Sequence, residues 1–189
     1  MGMRPCVKSA ARRPCRVAQS EYNTVVSPLS NAHALDLISH SVAQTQRLGA
    51  RLGELARPGD LFCLEGDLGS GKTCFAQGIG RGLAIVEDIT SPTFILANEH
   101  RGGRLTLYHL DVYRMNSARE VWGIGLDDYL SGEGVCVIEW AEKIRAALPE
   151  ECLWLAFRHL GEGKRGLLIK ACGTRYEELL REFKTSAFG

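Results

Sequence analysis

The chain has 189 residues, enough for one domain that buries about 70% of its unfolded surface without disulfides or metals. Its 23 basic and 22 acidic residues leave a net charge of +1, so overall charge indicates neither a nucleic-acid nor a membrane partner. No apolar stretch reaches the roughly 20 residues of a membrane span. Seven cysteines without a C-x-x-C pair or a Cys/His cluster argue against zinc and suit reduced thiols in a cytoplasmic protein.

The first thirty residues have a composition of their own. They carry five basic residues, no acidic residue before Glu21, and no apolar core of the kind that a signal peptide needs. A transit peptide and an RNA-contacting arm are two readings of such a segment; we expect a disordered extension or an over-long reading frame. The predicted boundaries are a basic extension at 1–33, a P-loop domain at 34–173, and a C-terminal helix and tail at 174–189.

The first predicted elements alternate between strands and helices. Ala34–Ile38 is predicted as a strand, and Ser39 or Ser41 as the N-cap of the helix that follows. The short apolar run Leu61–Leu64 is typical of a buried strand, and Thr73–Leu83 shows the apolar spacing of a helix.

The same alternation continues to the C terminus. The remaining predictions, in order, are a loop at 98–103, a strand at 105–110, a helix at 118–130 broken near Gly123 and Gly125, a strand at 135–138, a short helix at 142–148, a hairpin of 153–157 with 166–170, and a last helix at 176–183. This order predicts an α/β fold with a largely parallel central sheet, and the motif described next makes it a three-layer fold of the P-loop NTPase type. Continuous apolar runs such as Val135–Ile138 suit parallel strands covered on both faces.

Residues Gly66 to Thr73 match every fixed position of the P-loop pattern Gly-x-x-x-x-Gly-Lys-Thr. In that pattern the backbone cradles phosphates, Lys72 reaches the β- and γ-phosphates, and the Thr73 hydroxyl holds Mg²⁺. The alternative is a glycine-rich turn that matches by chance. The predicted strand before and helix after the motif argue against it. The guanine-selecting pattern Asn-Lys-x-Asp is missing from the sequence, so adenine is the expected base.

Two predicted strands end in a carboxylate, one at Asp111 and the other at Glu139. In open α/β sheets ligands bind beyond the carboxyl ends of the strands. A P-loop enzyme needs a carboxylate for Mg²⁺ and a residue that orients the attacking water. We therefore assign Asp111 to the metal and Glu139 to water or metal positioning. The alternative is that polar residues simply reappear where strands end.

Three further features allow both a functional and a purely structural interpretation. The hydroxyl-rich segment Thr90–Phe94, which contains Thr93, is a candidate switch that senses the γ-phosphate, or an ordinary turn at Pro92. Arg114 is a candidate for neutralising transition-state charge, or a surface arginine. His109 is expected to be a packed core histidine rather than a general base.

Taken together, several segments closely resemble the bacterial TsaE (YjeE) family, the ATPase of tRNA threonylcarbamoyladenosine biosynthesis. The resemblance spans roughly residues 35–172. The matching segments are the P-loop at 66–73, Ser-Pro-Thr-Phe at 91–94, Tyr-His-Leu-Asp-Val-Tyr-Arg at 108–114, Gly-Leu-Asp-Asp-Tyr at 125–129, Ile-Glu-Trp-Ala-Glu-Lys at 138–143, and Leu-Pro at 148–149. Two positions depart from the family pattern: Ala141 stands where proline is usual, and Ile144 where glycine is usual.

The resemblance implies a compact ATPase whose parallel sheet is flanked by antiparallel strands and whose cofactors are ATP and Mg²⁺. Implied partners are the threonylcarbamoyl transferase subunit and its paralogue, with tRNA reached indirectly through the complex. Hydrolysis would be weak without them and would reset the complex between turnovers that modify adenosine 37 of tRNAs reading A-starting codons.

The resemblance also implies roles for residues. It makes Glu139 the catalytic acid, places Trp140 beside the site, and matches Thr45 to a threonine near the nucleotide. The predicted catalytic residues are Lys72, Asp111 and Glu139; the predicted metal ligands are Thr73, Asp111 and Glu139; and the predicted nucleotide-binding residues are Gly66, Asp67, Leu68, Gly69, Ser70, Gly71, Lys72, Thr73, Cys74, Thr45, Thr93 and Trp140.

Two rival functions remain open at the level of the sequence. A small-molecule P-loop kinase would need a lid over the phosphates, but the predicted loop near Arg101 and Arg104 is too short for a lid domain. A nucleotide-gated partner-binding module with little hydrolysis of its own is the second rival.

Overall fold

The computed structural model describes residues 33–92, 96–115, 120, 123 and 125–188. The strands in these residues are β1 Ala34–Ser39, β2 Leu61–Gly66, β3 Ala97–His100, β4 Leu107–Asp111, β5 Val135–Glu139, β6 Cys152–Gly161 and β7 Lys164–Cys172. The helices are α1 Val42–Leu55, α2 Lys72–Gly82, α3 Leu126–Ser131 and α4 Thr174–Phe188, and a 3₁₀ segment spans Ala141–Ala147. The strands form one sheet in the order β1-β7-β6-β2-β5-β4-β3.

The centre of the sheet is parallel and its edges are antiparallel. Strands β6, β2, β5 and β4 run parallel to one another. Strands β7 and β1 add antiparallel at one edge, and β3 adds antiparallel to β4 at the other. The predicted α/β fold with a largely parallel sheet is therefore confirmed. The apolar runs Leu61–Leu64 and Val135–Ile138 are buried throughout because both sheet faces are covered.

Two layers cover the sheet, each with its own apolar cluster. On one face, α1, α2 and α4 pack on side chains such as Phe62 and Leu64. On the other face, α3 and the 3₁₀ segment pack on side chains such as Cys63 and Ile138. Successive residues of β2 thus serve opposite clusters, as the pleat of a strand requires. No helix in the described part of the chain is long and apolar enough to cross a membrane.

Helices α1 and α2 approach each other through glycines. A Cβ atom at Gly49 would lie 2.3 Å from the Phe75 carbonyl oxygen, and one at Gly78 would lie 2.2 Å from the Gln46 carbonyl oxygen. The close backbone contact fixes α2, the helix that begins in the P-loop. Of the two serines predicted to cap α1, Ser41 is the N-cap, and its Oγ accepts a 3.1 Å hydrogen bond from Gln44 N.

Three predicted elements differ in the structure. The predicted loop at 98–103 is wrong at its start, because Ala97–His100 forms β3; this edge strand is too short and polar to show an apolar pattern. The predicted helix at 142–148 is a 3₁₀ segment at 141–147, interrupted by non-helical dihedrals at Ile144. The predicted helix at 118–130 coincides with α3 at residues 126–130, and its residues 118, 119, 121, 122 and 124 lie outside the described residues.

Candidate functional site

The P-loop leaves β2 at the carboxyl end of the parallel sheet and re-enters as α2. Gly69 and Gly71 have φ values of +76° and +107°, a region that favours glycine. These two positions turn the backbone over the first turn of α2, whose N–H groups have no partner within the helix. The result is the geometry in which helix N-termini bind phosphate and other anions.

Lys72 is buried inside this loop, with 4% of its surface exposed. Its Nζ donates to the carbonyl oxygens of Gly66 at 2.5 Å and Asp67 at 2.9 Å, and lies 3.7 Å from the centroid of the Trp140 ring. Burial lowers the pKa of Lys72, and the nearby Glu139 carboxylate opposes that shift. The loop therefore holds a cation whose protein hydrogen-bond acceptors are two uncharged carbonyls.

Glu139 ends β5 beside the P-loop and is 2% exposed. Its Oε2 accepts a 3.0 Å hydrogen bond from the Thr73 hydroxyl. Its Oε1 lies 2.9 Å from Nε2 of His109, a fully buried residue of β4. His109 is thus a core histidine, as expected, and it also orients the predicted catalytic carboxylate.

Asp111 ends β4 and is the register partner of Glu139, so the two carboxylates share one face of the sheet. Its Oδ2 accepts a 2.5 Å hydrogen bond from the Ser91 hydroxyl, and its Oδ1 accepts a 2.9 Å hydrogen bond from Tyr113 N. Ser91 connects the segment after α2 to the strand ends. Both carboxylates lie beyond the carboxyl ends of parallel strands, where open α/β sheets bind ligands.

These groups share a cleft of about 340 Å³, here called the P-loop cleft. It is lined by Leu68, Gly69, Gly71, Lys72, Thr73, Cys74, Ser91, Asp111, Tyr113, Glu139, Trp140 and Arg165. A larger depression of about 410 Å³ lies at the opposite end of β2, around Arg57 and Arg175. The predicted catalytic residues therefore line the smaller of the two depressions.

Trp140 forms one wall of the P-loop cleft. Its φ of +62° is unusual for a residue with a side chain and turns the chain sharply after Glu139. The ring packs against Tyr113, with centroids 4.8 Å apart. Lys143 donates from Nζ to the carbonyl oxygens of Tyr113 and Met115, which ties this wall to the end of β4. An aromatic face is thus fixed beside the phosphate-binding loop.

Arg165, which sequence reasoning missed, reaches the P-loop from β7. A Cβ atom at Gly71 would lie 2.4 Å from its Nε, so the guanidinium rests directly on the loop. Its Nη1 donates to Gly163 O at 3.2 Å, and its buried Nε has no hydrogen-bond partner within the described residues. The sequence gives no sign of this contact. Arg165 lies 94 positions after Gly71, and only the β6–β7 hairpin brings the two together. Arg114, the predicted candidate, is exposed and does not line the cleft.

Of the two further predicted nucleotide-binding threonines, Thr45 is not among the residues that line the cleft. Thr45 is fully buried in the first turn of α1, where its hydroxyl lies 2.8 Å from Ser39 Oγ and donates to Ser41 O at 3.1 Å. Thr93 lies outside the described residues. The structure brings the other predicted reactive groups, Lys72, Thr73 and the two carboxylates, into one cleft.

The donor set of the cleft indicates which metal it suits. Within the described residues, no group of three or more His, Cys, Asp or Glu side chains converges to hold a metal ion. Two carboxylates and two hydroxyls do meet here, in the pairs Thr73–Glu139 and Ser91–Asp111. Such a set of hard oxygen donors suits Mg²⁺, which keeps part of its shell for water and substrate phosphates.

Known proteins resemble the chain in sequence and in structure. The family described as "Threonylcarbamoyl adenosine biosynthesis protein TsaE" matches residues 39–167. A tRNA threonylcarbamoyladenosine biosynthesis protein TsaE from Bacillus subtilis is 43% identical over 139 residues, covering 74% of this chain and 87% of the relative. Its counterpart from Treponema pallidum is 44% identical over 132 residues, covering 70% and 97%. A crystal structure of Bacillus subtilis YdiB superposes with a TM-score of 0.72 at 37% identity, covering 82% of this chain and 96% of that one.

Proposed function

Because the chain belongs to the TsaE family, whose members are tRNA threonylcarbamoyladenosine biosynthesis proteins, we propose that it is the Mg²⁺-dependent ATPase of that modification. One observation carries the proposal. Lys72 and Thr73 of the P-loop meet Asp111 and Glu139, from two strand ends, in a single cleft. This is the set of groups that P-loop nucleotide hydrolysis requires.

The P-loop binds the β- and γ-phosphates of ATP through backbone N–H groups and Lys72. Lys72 gives up its two carbonyl partners for phosphate oxygens, because hydrogen bonds between charged groups are about twice as strong as neutral ones. Arg165 adds a second cation on the far side of Gly71. Trp140 offers an aromatic face at the same wall.

Thr73, Asp111 and Glu139 would hold Mg²⁺, which neutralises charge on the phosphates when it is bound. These residues fit Mg²⁺ because every donor is an oxygen. Both carboxylates are held by hydroxyls that can turn away. Glu139 keeps Oε1 on His109, so once Thr73 turns away its Oε2 serves either the metal or the attacking water.

Hydrolysis resets the threonylcarbamoyl transferase complex between turnovers on adenosine 37 of tRNA. The partners are the transferase subunit and its paralogue, and the tRNA is contacted only through them, in the cytoplasm. The mouth of the P-loop cleft supports access by a protein partner, because Leu68 at the loop tip is 83% exposed and Tyr113 is 43% exposed. In this proposal hydrolysis is slow until the partners bind.

Phosphate release from Mg-ATP tests the proposal. The purified chain should release phosphate slowly, the transferase pair should accelerate it, and Lys72→Ala should abolish it while the fold survives. The matched control is Lys164→Ala, an exposed lysine of the β6–β7 hairpin. Release that is unaffected by Lys72→Ala would overturn the site, and release that is indifferent to the pair would overturn the coupling.

A nucleotide-gated binding module is the second candidate, favoured by the hydroxyl–carboxylate pairs that hold both reactive groups closed. Glu139→Gln separates the two functions. A binding module keeps supporting the partner complex through many turnovers with this variant, whereas a hydrolysis-coupled subunit stops after one. Counting modified tRNAs per complex gives the answer directly.

A further inference from the structure

Arg165 has an unused pair of hydrogen-bond donors in the P-loop cleft, which its side chain lines. Its Nη1 donates to Gly163 O at 3.2 Å, the one hydrogen bond that this side chain makes within the described residues. Its Nε is buried and has no partner there. Its Nη2 also makes no hydrogen bond to those residues, but it is not buried. Two of the three guanidinium nitrogens therefore have donors that the described protein does not use.

Strand β7 determines where this side chain goes. The backbone of Arg165 is held between two strands, paired in register with Ser39 of β1 on one side and with β6 on the other. Alternate residues of a strand share a face, and Leu167 and Ile169 belong to the apolar cluster beneath α2. Arg165 therefore leaves the sheet on the side of α2. Accordingly, a Cβ atom at Gly71 would lie 2.4 Å from its Nε and 2.6 Å from its Cδ.

The chemistry of a guanidinium indicates what these free donors can bind. The N–H groups of Nε and Nη2 lie on one edge of the planar group and point in the same direction, which matches two oxygens of one phosphate or carboxylate. Within the described residues, no carboxylate forms an ion pair with Arg165, and a buried charged donor without an acceptor is costly. The adjacent P-loop has the geometry that binds phosphate. A phosphate is therefore the ligand that suits the free edge.

We propose that Arg165 is a phosphate ligand of the bound nucleotide, and that its Nε and Nη2 bind the α- or β-phosphate beside Gly71. The backbone N–H groups of a P-loop surround the α- and β-phosphates, whereas its lysine extends to the γ-phosphate. Arg165 contacts the loop backbone at Gly71, so it serves the phosphates that ATP and ADP share. This role rests on nucleotide binding at the P-loop in the proposed function.

The position of Arg165 separates its task from that of the reactive groups. Lys72 and Glu139 act where the γ-phosphate is transferred in the proposed function, whereas the phosphates next to Gly71 remain bound after hydrolysis. Arg165 therefore contributes equally to the affinity for ATP and for ADP. Its loss should raise KM for ATP and leave kcat unchanged, the pattern of a contact that is the same in the ground state and the transition state.

Titration calorimetry on the full chain tests the contact, with Mg-ADP and with a Mg-bound ATP analogue that cannot be hydrolysed. Arg165→Met keeps an unbranched stem over Gly71 and removes every donor. It should raise Kd about 10- to 150-fold for both ligands alike, because a hydrogen bond to a charged group is lost. Arg165→Lys keeps the charge without the paired donors and should recover only part of the loss. The control is Lys164→Met, an exposed neighbour that also loses one positive charge and should bind as wild type does.

NMR of bound Mg-ADP locates the contact on the nucleotide. In saturated Arg165→Lys protein, the phosphorus-31 signals of the α- and β-phosphates should shift from their wild-type positions, and the adenine proton signals should stay. Shifted adenine protons with unchanged phosphorus signals would place Arg165 against the base and overturn the proposal. Because this variant keeps a long cationic side chain, it carries the test even where Arg165→Met does not fold.

The affinities give further ways to overturn the assignment. Unchanged affinity in folded Arg165→Met protein would mean that the side chain only packs on the loop. Full recovery in Arg165→Lys would mean that charge alone is needed, and a loss confined to the ATP analogue would move the contact to the γ-phosphate.

Failure of the proposed function looks different. Wild-type protein that binds Mg-ADP with the expected dependence on Arg165, yet hydrolyses no ATP alone or with the transferase pair, would overturn the proposed function and leave Arg165 as a phosphate ligand. Normal partner-stimulated hydrolysis with an Arg165→Met variant of unchanged affinity and KM would overturn only the role of Arg165.

Discussion

The two ends of strand β2 hold buried charge in opposite ways. At its amino end, Asp60 is 3% exposed and accepts two hydrogen bonds from the Arg175 guanidinium, at 3.0 and 2.7 Å. A third, at 2.8 Å, comes from Arg57 N. The next backbone N–H, that of Leu61, donates to the Tyr176 hydroxyl at 2.8 Å. This end is closed by a fixed cation and a fixed hydroxyl.

At its carboxyl end the same strand enters the P-loop. There Lys72 has two carbonyl acceptors, and the neighbouring carboxylates Asp111 and Glu139 are held by serine, threonine and histidine groups. Each of these partners is uncharged, or charged only on protonation, and can be exchanged for a phosphate oxygen or a metal ion. Buried charge that is matched by a fixed opposite charge stabilises the fold, whereas buried charge with exchangeable partners is available for chemistry.

The comparison also shows that the larger of the two depressions is not the one that holds the predicted catalytic residues. The larger depression lies at the amino end, around the satisfied Asp60–Arg175 pair, and the smaller one is the P-loop cleft. The following variants break one end of the strand while leaving the other intact.

Asp60→Ala should have the largest effect and should act on stability. Removing one partner of a buried ion pair leaves Arg175 uncompensated, which typically costs about 3–5 kcal/mol of unfolding free energy. Urea denaturation measures the loss. The control is Asp36→Ala, whose pair with Arg158 is half-exposed at 3.2 Å and should contribute less than about 1 kcal/mol. Weakened ATP binding by folded Asp60→Ala protein would contradict the independence of the two ends.

Gly71→Ala should act at the other end, on nucleotide affinity. The new Cβ would lie 2.4 Å from Arg165 Nε at a φ of +107°, so the loop or the arginine must shift. Strain of roughly 1–3 kcal/mol corresponds to a loss of about 5- to 140-fold in affinity. Titration calorimetry with Mg-ADP measures it. Gly69→Ala, with φ +76° and no atom within 4 Å of its Cβ, should lose less affinity. An equal loss in the two variants would show that the contact with Arg165 is not the cause.

Tyr176→Phe should again act at the amino end of β2, with a smaller loss of stability than Asp60→Ala. The Leu61 N–H loses its acceptor, and such a hydrogen bond contributes about 1 kcal/mol to the free energy of unfolding. Burial raises the pKa of Tyr176, so the wild-type group stays an uncharged hydroxyl over the working pH range. Thermal denaturation should show the loss with nucleotide affinity unchanged. A variant as stable as wild type would mean that Leu61 N finds another acceptor.

Glu142→Gln should act outside both ends of the strand and should appear as a change in the pH dependence of stability. Glu142, in the 3₁₀ segment, has a buried Oε2 without a partner among the described residues, and burial raises its pKa from the ordinary 4.5 to about 7. Between those values the folded state keeps a proton that the unfolded chain has lost. This carboxyl therefore lowers stability progressively as pH rises from about 4.5 to 7.

Melting temperatures of Glu142→Gln and wild type between pH 4 and 8 test this sign. The variant should gain on wild type as pH rises and keep the gain above pH 7. Glu150→Gln, at an exposed position just after the 3₁₀ segment, is the matched control and should follow wild type throughout. Parallel curves for Glu142→Gln and wild type would show that the carboxyl does not hold its proton.

The features that could be predicted are those that the local sequence determines. The P-loop carries its own backbone requirements, and the apolar runs before Asp111 and Glu139 mark strands whose carboxyl ends meet at one edge of a parallel sheet. The C-terminal hairpin was also recognisable, from the turn near Gly161 and Gly163. The sequence thus placed both carboxylates beside the P-loop, while their roles stay predictions.

The features that escaped prediction depend on contacts between distant segments. Strand β3 has only four residues and is ordered by its pairing with β4, not by a pattern of its own. Arg165 enters the cleft because β7 runs back antiparallel to β6, a register that no short motif encodes. In each case tertiary geometry, and not residue type, creates the site.

Strand β1 carries a consequence for how the protein is made. It leaves the ribosome long before β7, its one sheet neighbour among the described strands, in which Lys170 pairs with Ala34. At roughly 5–20 residues per second, translation separates the two strands by on the order of ten seconds. During that interval β1 has unpaired N–H and C=O groups on both sides, the arrangement that invites association between nascent chains. The half of the sheet that carries the P-loop is thus synthesised before β1 can pair with β7.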